Sequence, residues 1–388
     1  MTTPVVIASA TRTPFTRALK GELKDTLPDT MGGWAIAEAM KQVPGVTGEM
    51  IEDVILGCAM PEAEQGNNIA RLAAMYAGLP HTVPAMTVNR FCSSGVQSIA
   101  LIAQAIQAGS IEVGIGGGTE SMSMIPMGGN KFVTNPELLE MHPAVYTTMG
   151  ATAENVAEKF GVTREDMDVF AAQSQARAEA AQDNGKLADE IFEVTATVFD
   201  AKGQRQEVTL DHDTINRRGS TVAGLTRLRP VFRAGGTVTA GNASPLTDGA
   251  AAAVLLSVAK AEELGVNPLG FFHDIQVAGV PPEIMGIGPV PAVRKLLAKH
   301  NLTVADIDVF ELNEAFAAQS LYCIRELGLD QEKVNPNGGA IALGHPLGVS
   351  GTRMTATILR ELKRRGGKYG VVTMCIGGGM GAAALVSV

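Results

Sequence analysis

Cys92 occupies a position in the chain that suits nucleophilic chemistry. It follows a strand-like run, Ala85–Val88, and precedes a segment, Ser94–Ala108, whose apolar residues recur at helical spacing. A thiol at a helix N-terminus feels the positive end of the helix dipole and its free N–H groups, which can lower a cysteine pKa to about 3.5–7.5. A strand-to-helix turn also presents the side chain to a cleft. The position predicts a nucleophile, although a buried, unreactive cysteine is consistent with the same pattern.

His345 lies in a loop rich in glycine that runs from Gly339 to Gly348. Glycines let a backbone approach a ligand or another loop closely, and a histidine beside a cysteine supplies the base that forms a thiolate. The residues leave open whether His345 serves Cys92 or has no role. Asn313 lies between a strand pattern and a helix pattern. It is either a helix N-cap or an amide that orients a water or polarises a carbonyl.

A second cysteine, Cys375, follows an apolar strand, Tyr369–Met374, and precedes the glycines Gly377–Gly379. Glycine N–H groups after a strand can form an oxyanion hole, in which one donor contributes about 2.7–4 kcal/mol to the transition state. The same glycines, with Ala382, also fit the GxGxxA pattern of dinucleotide sites. Only six residues follow Ala382, too few for the helix that such a site requires. We therefore favour the oxyanion hole.

Short β-branched runs alternate with helical segments along the chain, an order typical of a sheet covered by helices. The predicted strands include Asp53–Gly57 and Ile111–Gly116, and we expect a largely parallel sheet. Four short motifs recur in the same order in the second half. Residues 53–56, 88–89, 94–95 and 115–118 resemble 308–311, 334–335, 350–351 and 376–379, at offsets of 255, 246, 256 and 261. These matches indicate a duplication with loop insertions.

Composition limits the class of protein. The 388 residues are 46% hydrophobic with a formal net charge of -9, which is typical of a compact α/β protein and argues against nucleic acid as a partner. Apolar runs are too short to span a membrane, so no membrane partner is expected. The four cysteines lack the spacing of a disulfide framework or a metal site. With an N-terminus that lacks a signal-peptide pattern, they predict a cytoplasmic protein.

The motifs together resemble the thiolase family. The resemblance covers essentially the whole chain and is carried by Asn89–Gly95, Thr237–Ala250, Asn313–Phe316, Gly338–Gly351 and Cys375–Gly381. It is closest to the degradative 3-ketoacyl-CoA thiolases, the acetyl-CoA acyltransferases of fatty-acid β-oxidation. It implies an α/β fold of duplicated βαβαβαββ halves that form a five-layer α-β-α-β-α sandwich. We expect residues 1–118 with 243–268 to form the N-terminal half, 119–242 an inserted CoA-binding loop domain, and 269–388 the C-terminal half.

The resemblance also implies a role for each candidate residue. Cys92 would attack the 3-keto carbonyl and carry the acyl group as a thioester, after His345 takes its proton. Cys375 would protonate the departing acetyl-CoA carbanion, while His345 and a water on Asn313 would bind the enolate oxygen. The N–H groups of Cys92 and Gly377 would hold the tetrahedral oxyanion. Coenzyme A enters as a substrate, and neither a tightly bound cofactor nor a metal is expected.

Seven further positions match residues that bind CoA or line the pocket in the family, namely Arg217, Ser244, Met149, Phe232, Met285, Ala315 and Phe316. Thr148 stands where short-chain biosynthetic members usually have histidine, which favours the degradative branch over an acetoacetyl-CoA thiolase. A non-catalytic acyl-CoA-binding relative and a decarboxylating ketoacyl synthase are further alternatives, and the presence of Cys375 argues against both. The family implies a homodimer or homotetramer, with a β-oxidation hydratase/dehydrogenase subunit as a candidate partner.

Overall fold

The computed structural model of the chain describes residues 3–200 and 202–388. Residues 1–2 of the predicted N-terminal half and residue 201 of the predicted loop domain lie outside this description. The strands are β1 (Val5–Arg12), β2 (Thr16–Arg17), β3 (Asp53–Gly57), β4 (Ala85–Val88), β5 (Val113–Ser121), β6 (Val194–Phe199), β7 (Arg205–Leu210), β8 (Thr247–Leu256), β9 (Gly270–Gly279), β10 (Val309–Leu312), β11 (Tyr369–Ile376) and β12 (Met380–Ser387). The helices are α1 (Pro28–Lys41), α2 (Ile69–Tyr76), α3 (Ser94–Gln107), α4 (Pro136–Met141), α5 (Met149–Phe160), α6 (Arg164–Asp183), α7 (Val222–Leu225), α8 (Val258–Glu263), α9 (Pro289–His300), α10 (Ala317–Leu327), α11 (Ala340–Leu343) and α12 (Ser350–Arg365).

The main sheet has two halves of equivalent topology. Its strand order is β10-β11-β12-β9-β1-β8-β5-β3-β4, with β2 paired to β8 beside this path, and β6 and β7 form a separate hairpin. One half runs β4-β3-β5-β8-β1. The other runs β10-β11-β12-β9, and a parallel bridge from Phe310 to Val334 stands where β4 stands in the first half. The predicted duplication therefore corresponds to a repeated strand order.

Alternate residues along each strand face different helical layers, because successive side chains of a strand point to opposite faces. In β3, Val54 and Leu56 pack with α1 and α2, whereas Ile55 packs with α3 and α12. The same alternation holds in β10 and β11. Val309 and Val372 pack with α12, whereas Phe310 and Val371 pack with α9 and α10. The layers are thus α1/α2, one half-sheet, α3/α12, the other half-sheet and α9/α10. This is the predicted five-layer sandwich.

Two details of the sheet differ from the expectation. The sheet is mixed, since only β3 with β4, β3 with β5 and β10 with β11 pair parallel. The match of residues 115–118 to 376–379 is also wrong. Val54 pairs with Ile115 and Val309 with Gly370, so the structural offset of both strands is 255 residues rather than 261.

The two glycine runs exist for different physical reasons. Strand β5 continues through its glycines to Ser121, five residues beyond the predicted end and three residues into the proposed loop domain. A Cβ at Gly116 would lie 2.7 Å from the Cα of Ile99, and one at Gly118 would overlap the carbonyl of Gly348. Those glycines permit close packing of backbones. The glycines of the β11–β12 turn instead adopt positive φ, 81° at Gly378 and 85° at Gly379.

The middle helical layer brings the N-termini of α3 and α12 together. A Cβ at Gly95 would lie 2.9 Å from the carbonyl oxygen of Gly348 and 2.8 Å from Oγ1 of Thr352. Backbone contact of this kind fixes the turn before α3 against the loop before α12. Because Cys92 precedes α3 and His345 precedes α12, the fold places both residues at one end of this layer. None of the described helices is both long and apolar enough to cross a bilayer.

Candidate active site

Cys92 lies in a tight turn, Phe91–Ser93, between β4 and α3. Local hydrogen bonds hold this turn: the amide N–H of Phe91 donates to Oδ1 of Asn89 at 2.8 Å, and the Ser94 hydroxyl donates to the Phe91 carbonyl at 2.7 Å. Phe91 has a φ of 42°, a conformation that costs an aromatic residue about 1–3 kcal/mol. The surrounding bonds stabilise this strained turn, which directs Cys92 into the interior with 1% exposure.

The expected low pKa of Cys92 is not what the structure indicates. Burial, together with a smaller contribution from the nearby carboxylate of Glu120, raises the pKa of its thiol to about 12. The backbone N–H groups of Gly377 and of Cys92 lower the pKa of the same thiol, but by less. Desolvation outweighs the helix N-terminus here because the thiol is fully enclosed. The resting group is therefore a neutral thiol rather than a thiolate.

His345 is held by three hydrogen bonds at the end of the loop after α11. Its backbone N–H donates to Oγ1 of Thr247 at 3.0 Å. Its Nδ1 lies 2.6 Å from the Ser350 hydroxyl and its Nε2 lies 3.2 Å from Nδ2 of Asn313. Burial, with the positive charge of Arg353, lowers the pKa of His345 to about 3. The ring is a neutral imidazole in the resting site.

Asn313 is not a helix N-cap. Helix α10 begins at Ala317 and its N-cap position is Phe316, three residues further along. The backbone N–H of Asn313 donates to the Thr373 carbonyl at 2.9 Å, which fixes the residue at the end of β10. Its amide nitrogen lies on His345, and its buried Oδ1 has no hydrogen-bond partner among the described residues. A free buried carbonyl oxygen is suited to hold a water, in agreement with the second interpretation of this asparagine.

Cys375 and Gly377 approach Cys92 from the other half of the chain. Cys375 is fully buried in β11, and burial together with Cys92 and Cys323 raises its pKa well above the ordinary value. Gly377 lies between two side chains, since a Cβ there would be 2.8 Å from Cε of Met149 and 3.5 Å from the Phe91 ring. The N–H groups of Cys92 and Gly377, which were expected to form an oxyanion hole, both point at the Cys92 sulfur.

A cavity of about 660 Å³ reaches two of the candidate catalytic residues, Cys92 and His345, whereas Cys375, Asn313 and Gly377 do not line it. Eight of the predicted residues line it: Cys92, His345, Met149, Arg217, Phe232, Ser244, Ala315 and Phe316. The rings of Phe232 and Phe316 meet edge to face with centroids 5.9 Å apart. Met285 does not line the cavity; its side chain is buried in the core cluster that includes Phe310, at 2% exposure. The turn that carries Met285, Pro282–Ile287, packs against α5 and α10 instead.

The cavity mouth carries basic residues that the motifs did not reveal. Arg17 and Lys20 line it opposite Arg217. Burial and the like charge of Arg17 lower the pKa of Arg217, so these two cations face each other. Among the described residues neither Arg17 nor Lys20 forms an ion pair with a carboxylate. Such a site is complementary to an anionic ligand. Only the basic character of residues 17–20 could have signalled it in the sequence.

A buried carboxylate, Glu120, joins the loops that carry Cys92 and His345, and the sequence motifs did not reveal it. One of its oxygens accepts the backbone N–H of Ala59 at 2.8 Å and that of Gly348 at 2.7 Å. The other accepts from the Gln65 side chain at 2.9 Å. Gly348 belongs to the loop of His345, while Ala59 accepts a hydrogen bond from Asn89, which fixes the Cys92 turn. Glu120 thereby links the loop that carries Cys92 to the loop that carries His345.

Comparison with known proteins covers the entire length of the chain. Residues 5–259 match the family described as "Thiolase, N-terminal domain", and residues 266–388 match "Thiolase, C-terminal domain". The chain is 52% identical over 382 residues to the 3-ketoacyl-CoA thiolase of Bacillus subtilis (strain 168), an alignment that covers 97% of each chain. It is 47% identical over 384 residues to the peroxisomal 3-ketoacyl-CoA thiolase of Homo sapiens, covering 98% of this chain and 90% of the human one.

Two solved structures share the fold. The acetyl-CoA acetyltransferase of Bacillus anthracis superposes with a TM-score of 0.90 at 41% identity, covering 100% of this chain and 99% of that one. The dimeric peroxisomal thiolase of Saccharomyces cerevisiae gives a TM-score of 0.88 at 40% identity, covering 100% and 98%. In the described part of the chain, histidine, cysteine and carboxylate side chains form no group of three that could hold a metal.

Proposed function

Because the chain belongs to the thiolase family, we propose that it cleaves 3-ketoacyl-CoA with coenzyme A to give acetyl-CoA and an acyl-CoA two carbons shorter. The observation that carries this proposal is that Cys92 and His345 line one cavity, while Cys375 is buried in β11 close enough to Cys92 for the two thiols to interact. One thiol and a neutral base suit acyl transfer, and a second thiol suits proton transfer to carbon. The enzyme is an acyltransferase.

Acylation begins with proton transfer from Cys92 to Nε2 of His345. The sulfur electron pair forms a bond to the 3-keto carbon, and the carbonyl oxygen takes up negative charge. The N–H groups of Cys92 and Gly377, which already point at the sulfur, are suited to stabilise that oxyanion. Since these donors belong to rigid backbone, they need little reorganisation as the charge develops.

Collapse of the tetrahedral intermediate breaks the bond between the 2- and 3-carbons. The released carbanion of acetyl-CoA is delocalised as an enolate, whose oxygen is stabilised by the protonated ring of His345 and a water on Asn313. Cys375 donates its proton to the carbon. Incoming CoA gives its thiol proton to the Cys375 thiolate and attacks the Cys92 thioester; the shortened acyl-CoA leaves, and the Cys92 thiolate takes back the proton held by His345. The high pKa of Cys375 fits this step, because the group must keep its proton until the carbanion forms.

The cavity is suited to a long, amphipathic substrate. Met122, Met127, Val231 and Leu246 give much of its wall an apolar surface, and Phe232 is 46% exposed near Phe316. The basic residues at its mouth, Arg17, Lys20 and Arg217, complement the phosphates of CoA, and the backbone N–H of Ser244 is anchored on Ala315 at 3.0 Å. We propose Arg217, Ser244, Met149, Phe232, Ala315 and Phe316 as acyl-CoA contacts, and we withdraw Met285 from that set.

The experiment is a chain-length series in the thiolytic direction. Purified protein is mixed with CoA and 3-ketoacyl-CoAs of increasing length, and acetyl-CoA formation is measured beside the Cys92→Ser variant. We expect turnover of substrates longer than four carbons and none with the variant. Absence of cleavage at every length would contradict the proposal. Sharp preference for the four-carbon substrate would instead support a biosynthetic acetoacetyl-CoA thiolase, an alternative favoured by the likeness to the Bacillus anthracis acetyltransferase.

We further propose that the protein is a homodimer. Strand β4 ends the sheet, and within one chain its outer edge has no strand partner among the described residues. Its Met86 is 43% exposed, and Tyr76 of the adjacent α2 is 55% exposed. The likeness to a dimeric yeast thiolase supports the same proposal. Light scattering of the purified protein would distinguish a monomer, a dimer and a tetramer.

A cytoplasmic location and a hydratase/dehydrogenase partner also remain proposals. The first is supported by four free cysteines, which fit a reducing compartment, whereas the similar human protein is named as peroxisomal. Cell fractionation would test the location. Affinity purification of the full chain from cells grown on fatty acid would test the partner.

A further inference from the structure

The ring nitrogen of His345 that faces away from the cavity contacts a hydroxyl rather than a carboxylate. Nδ1 lies 2.6 Å from Oγ of Ser350, the first residue of α12, and both side chains are buried, at 3% and 1% exposure. Oγ of Ser350 lies 3.1 Å from the carbonyl oxygen of Pro346. Ser350 does not line the substrate cavity. Its hydroxyl therefore contacts the His345 ring and the Pro346 carbonyl but not the cavity.

We propose that Ser350 is a positioning residue that fixes the tautomer of His345, an inference that rests on the proposed thiolase chemistry and deepens it. Nδ1–H of His345 donates to Oγ of Ser350, and the Ser350 hydroxyl donates to the Pro346 carbonyl. That carbonyl also accepts the backbone N–H groups of Val349 and Ser350, so it is the acceptor at which the chain of hydrogen bonds ends. Nε2 then carries no proton and can act as a base toward Cys92.

The hydrogen-bond pattern is maintained through the reaction. When the S–H bond of Cys92 breaks, its proton forms an N–H bond at Nε2 and the sulfur keeps the electron pair. The resulting imidazolium has two donors: Nδ1–H remains on Ser350, and Nε2–H faces the substrate oxygen. A hydroxyl accepts this hydrogen bond without neutralising the ring, in contrast to the carboxylate of a serine-protease triad. The imidazolium therefore stays acidic and returns the proton readily.

The choice of partner agrees with the surroundings of the ring. Arg353, whose positive charge disfavours a charged His345, is itself paired with the buried Glu311 at 2.8 Å. A carboxylate in place of Ser350 would add negative charge and favour a permanently protonated ring. With a hydroxyl there, the resting imidazole stays neutral, and its Nε2 carries a lone pair that accepts the side-chain N–H of Asn313 at 3.2 Å.

The tautomer can be read directly by nitrogen NMR of protein labelled with ¹⁵N-histidine. The signals of His345 are assigned by their loss in His345→Gln, and a nitrogen that carries hydrogen differs strongly in shift from one that does not. In the resting wild-type protein we expect hydrogen on Nδ1 and a bare Nε2. In Ser350→Ala we expect hydrogen on Nε2 or a mixture of tautomers.

Kinetics of the same variants provide the second measurement. We expect kcat of Ser350→Ala to fall by about 10-fold to about 10⁴-fold. The lower figure is typical of losing a group that hydrogen-bonds the far side of a functional histidine, and the higher figure is typical of a histidine in the wrong tautomer. KM should stay within about twofold. Ser350→Thr keeps a hydroxyl and should recover most of the loss. The control is Thr355→Val on the same helix, since Thr355 is fully buried and its hydroxyl donates to the Gly351 carbonyl at 2.8 Å without touching His345.

Two results would overturn the proposal. One is an NMR spectrum in which His345 of the resting wild-type protein carries hydrogen on Nε2. This measurement does not depend on whether any variant folds. The other is Ser350→Ala with unchanged tautomer and unchanged kcat. Failure of the proposed function is distinguishable from both, because a protein that cleaves no 3-ketoacyl-CoA would still report its His345 tautomer by NMR.

Discussion

The protonation state of Cys92 in the resting protein can be measured by titrating its alkylation with iodoacetamide. Burial raises the pKa of the thiol from its ordinary 9.0 to about 12. That change lowers the thiolate population at pH 7 about 1,000-fold, which corresponds to about 4 kcal/mol. His345, with its pKa lowered to about 3, is uncharged in the same range. The resting pair is then thiol and imidazole, not thiolate and imidazolium.

The assay follows the peptide that contains Cys92 by mass spectrometry after short exposures between about pH 6 and about pH 10. We expect the alkylation rate constant to rise about tenfold per pH unit with no plateau, because the reactive thiolate grows in that proportion. Slow access of the reagent to a side chain that is 1% exposed changes the height of this profile but not its shape. In Cys92→Ser the corresponding peptide should show no alkylation, which confirms that the signal comes from the Cys92 thiol.

A rate plateau between about pH 6 and about pH 8 would refute the reasoning, since it would mean that a thiolate is already present. His345→Gln tests the second part of the argument. We expect its resting alkylation profile to keep the wild-type shape, because no ion pair exists to be broken. Acyl transfer from acetyl-CoA to Cys92 should fall by about 10²- to 10⁴-fold, because the base is lost.

Other predictions address the carbon acid, the phosphate contacts and the packing of the two loops. In Cys375→Ala, Cys92 should still be acetylated by radiolabelled acetyl-CoA, while thiolysis of 3-ketoacyl-CoA falls by about 10²- to 10⁴-fold. Equal loss of both reactions would contradict a role for Cys375 in proton transfer to carbon alone. Joint replacement of Arg17 and Lys20 by alanine should raise KM for CoA about 2- to 30-fold with kcat unchanged, an effect that shrinks as salt is added; a salt-independent effect would argue against charge. Gly118→Ala should lower stability by about 1–3 kcal/mol in urea unfolding and reduce kcat, because its Cβ displaces the loop of the catalytic histidine. The control is Gly279→Ala, where a Cβ meets nothing within 4 Å; its stability and its kcat should equal those of the wild-type protein.

The sequence predicted the fold because its strands and helices depend on local patterns, whereas the roles of the candidate site residues stay predictions. The predicted bounds of β3 and β4 are confirmed to the residue, and α3 ends one residue before its predicted end. Cys92, His345 and Cys375 stand in motifs that are specific in composition and order. The structure brings the elements that carry them together, as the repeat had indicated.

The features that were missed depend on contacts between distant segments. The pKa of Cys92 was predicted in the wrong direction because enclosure by the second half of the chain cannot be seen from a helix N-terminus. Glu120 meets the Gly348 amide 228 positions along the chain, and no motif links them. Met285 was assigned to the pocket from the family resemblance, yet its side chain is buried in the core beside the outer helices. Residue types show what chemistry is available, and tertiary packing decides which groups meet.

The place of β1 in the sheet has a consequence for synthesis. This first strand lies in the interior of the sheet, where it pairs with Leu256 and its neighbours on one side and with Gly270–Phe272 on the other. Neither partner exists when β1 leaves the ribosome. At about 5–20 residues per second, roughly 10–50 s pass before β8 emerges. During that time an apolar strand with two open edges must be kept from other chains. We therefore expect the yield of native protein to depend on chaperones that bind Val5–Arg12, and to fall in their absence.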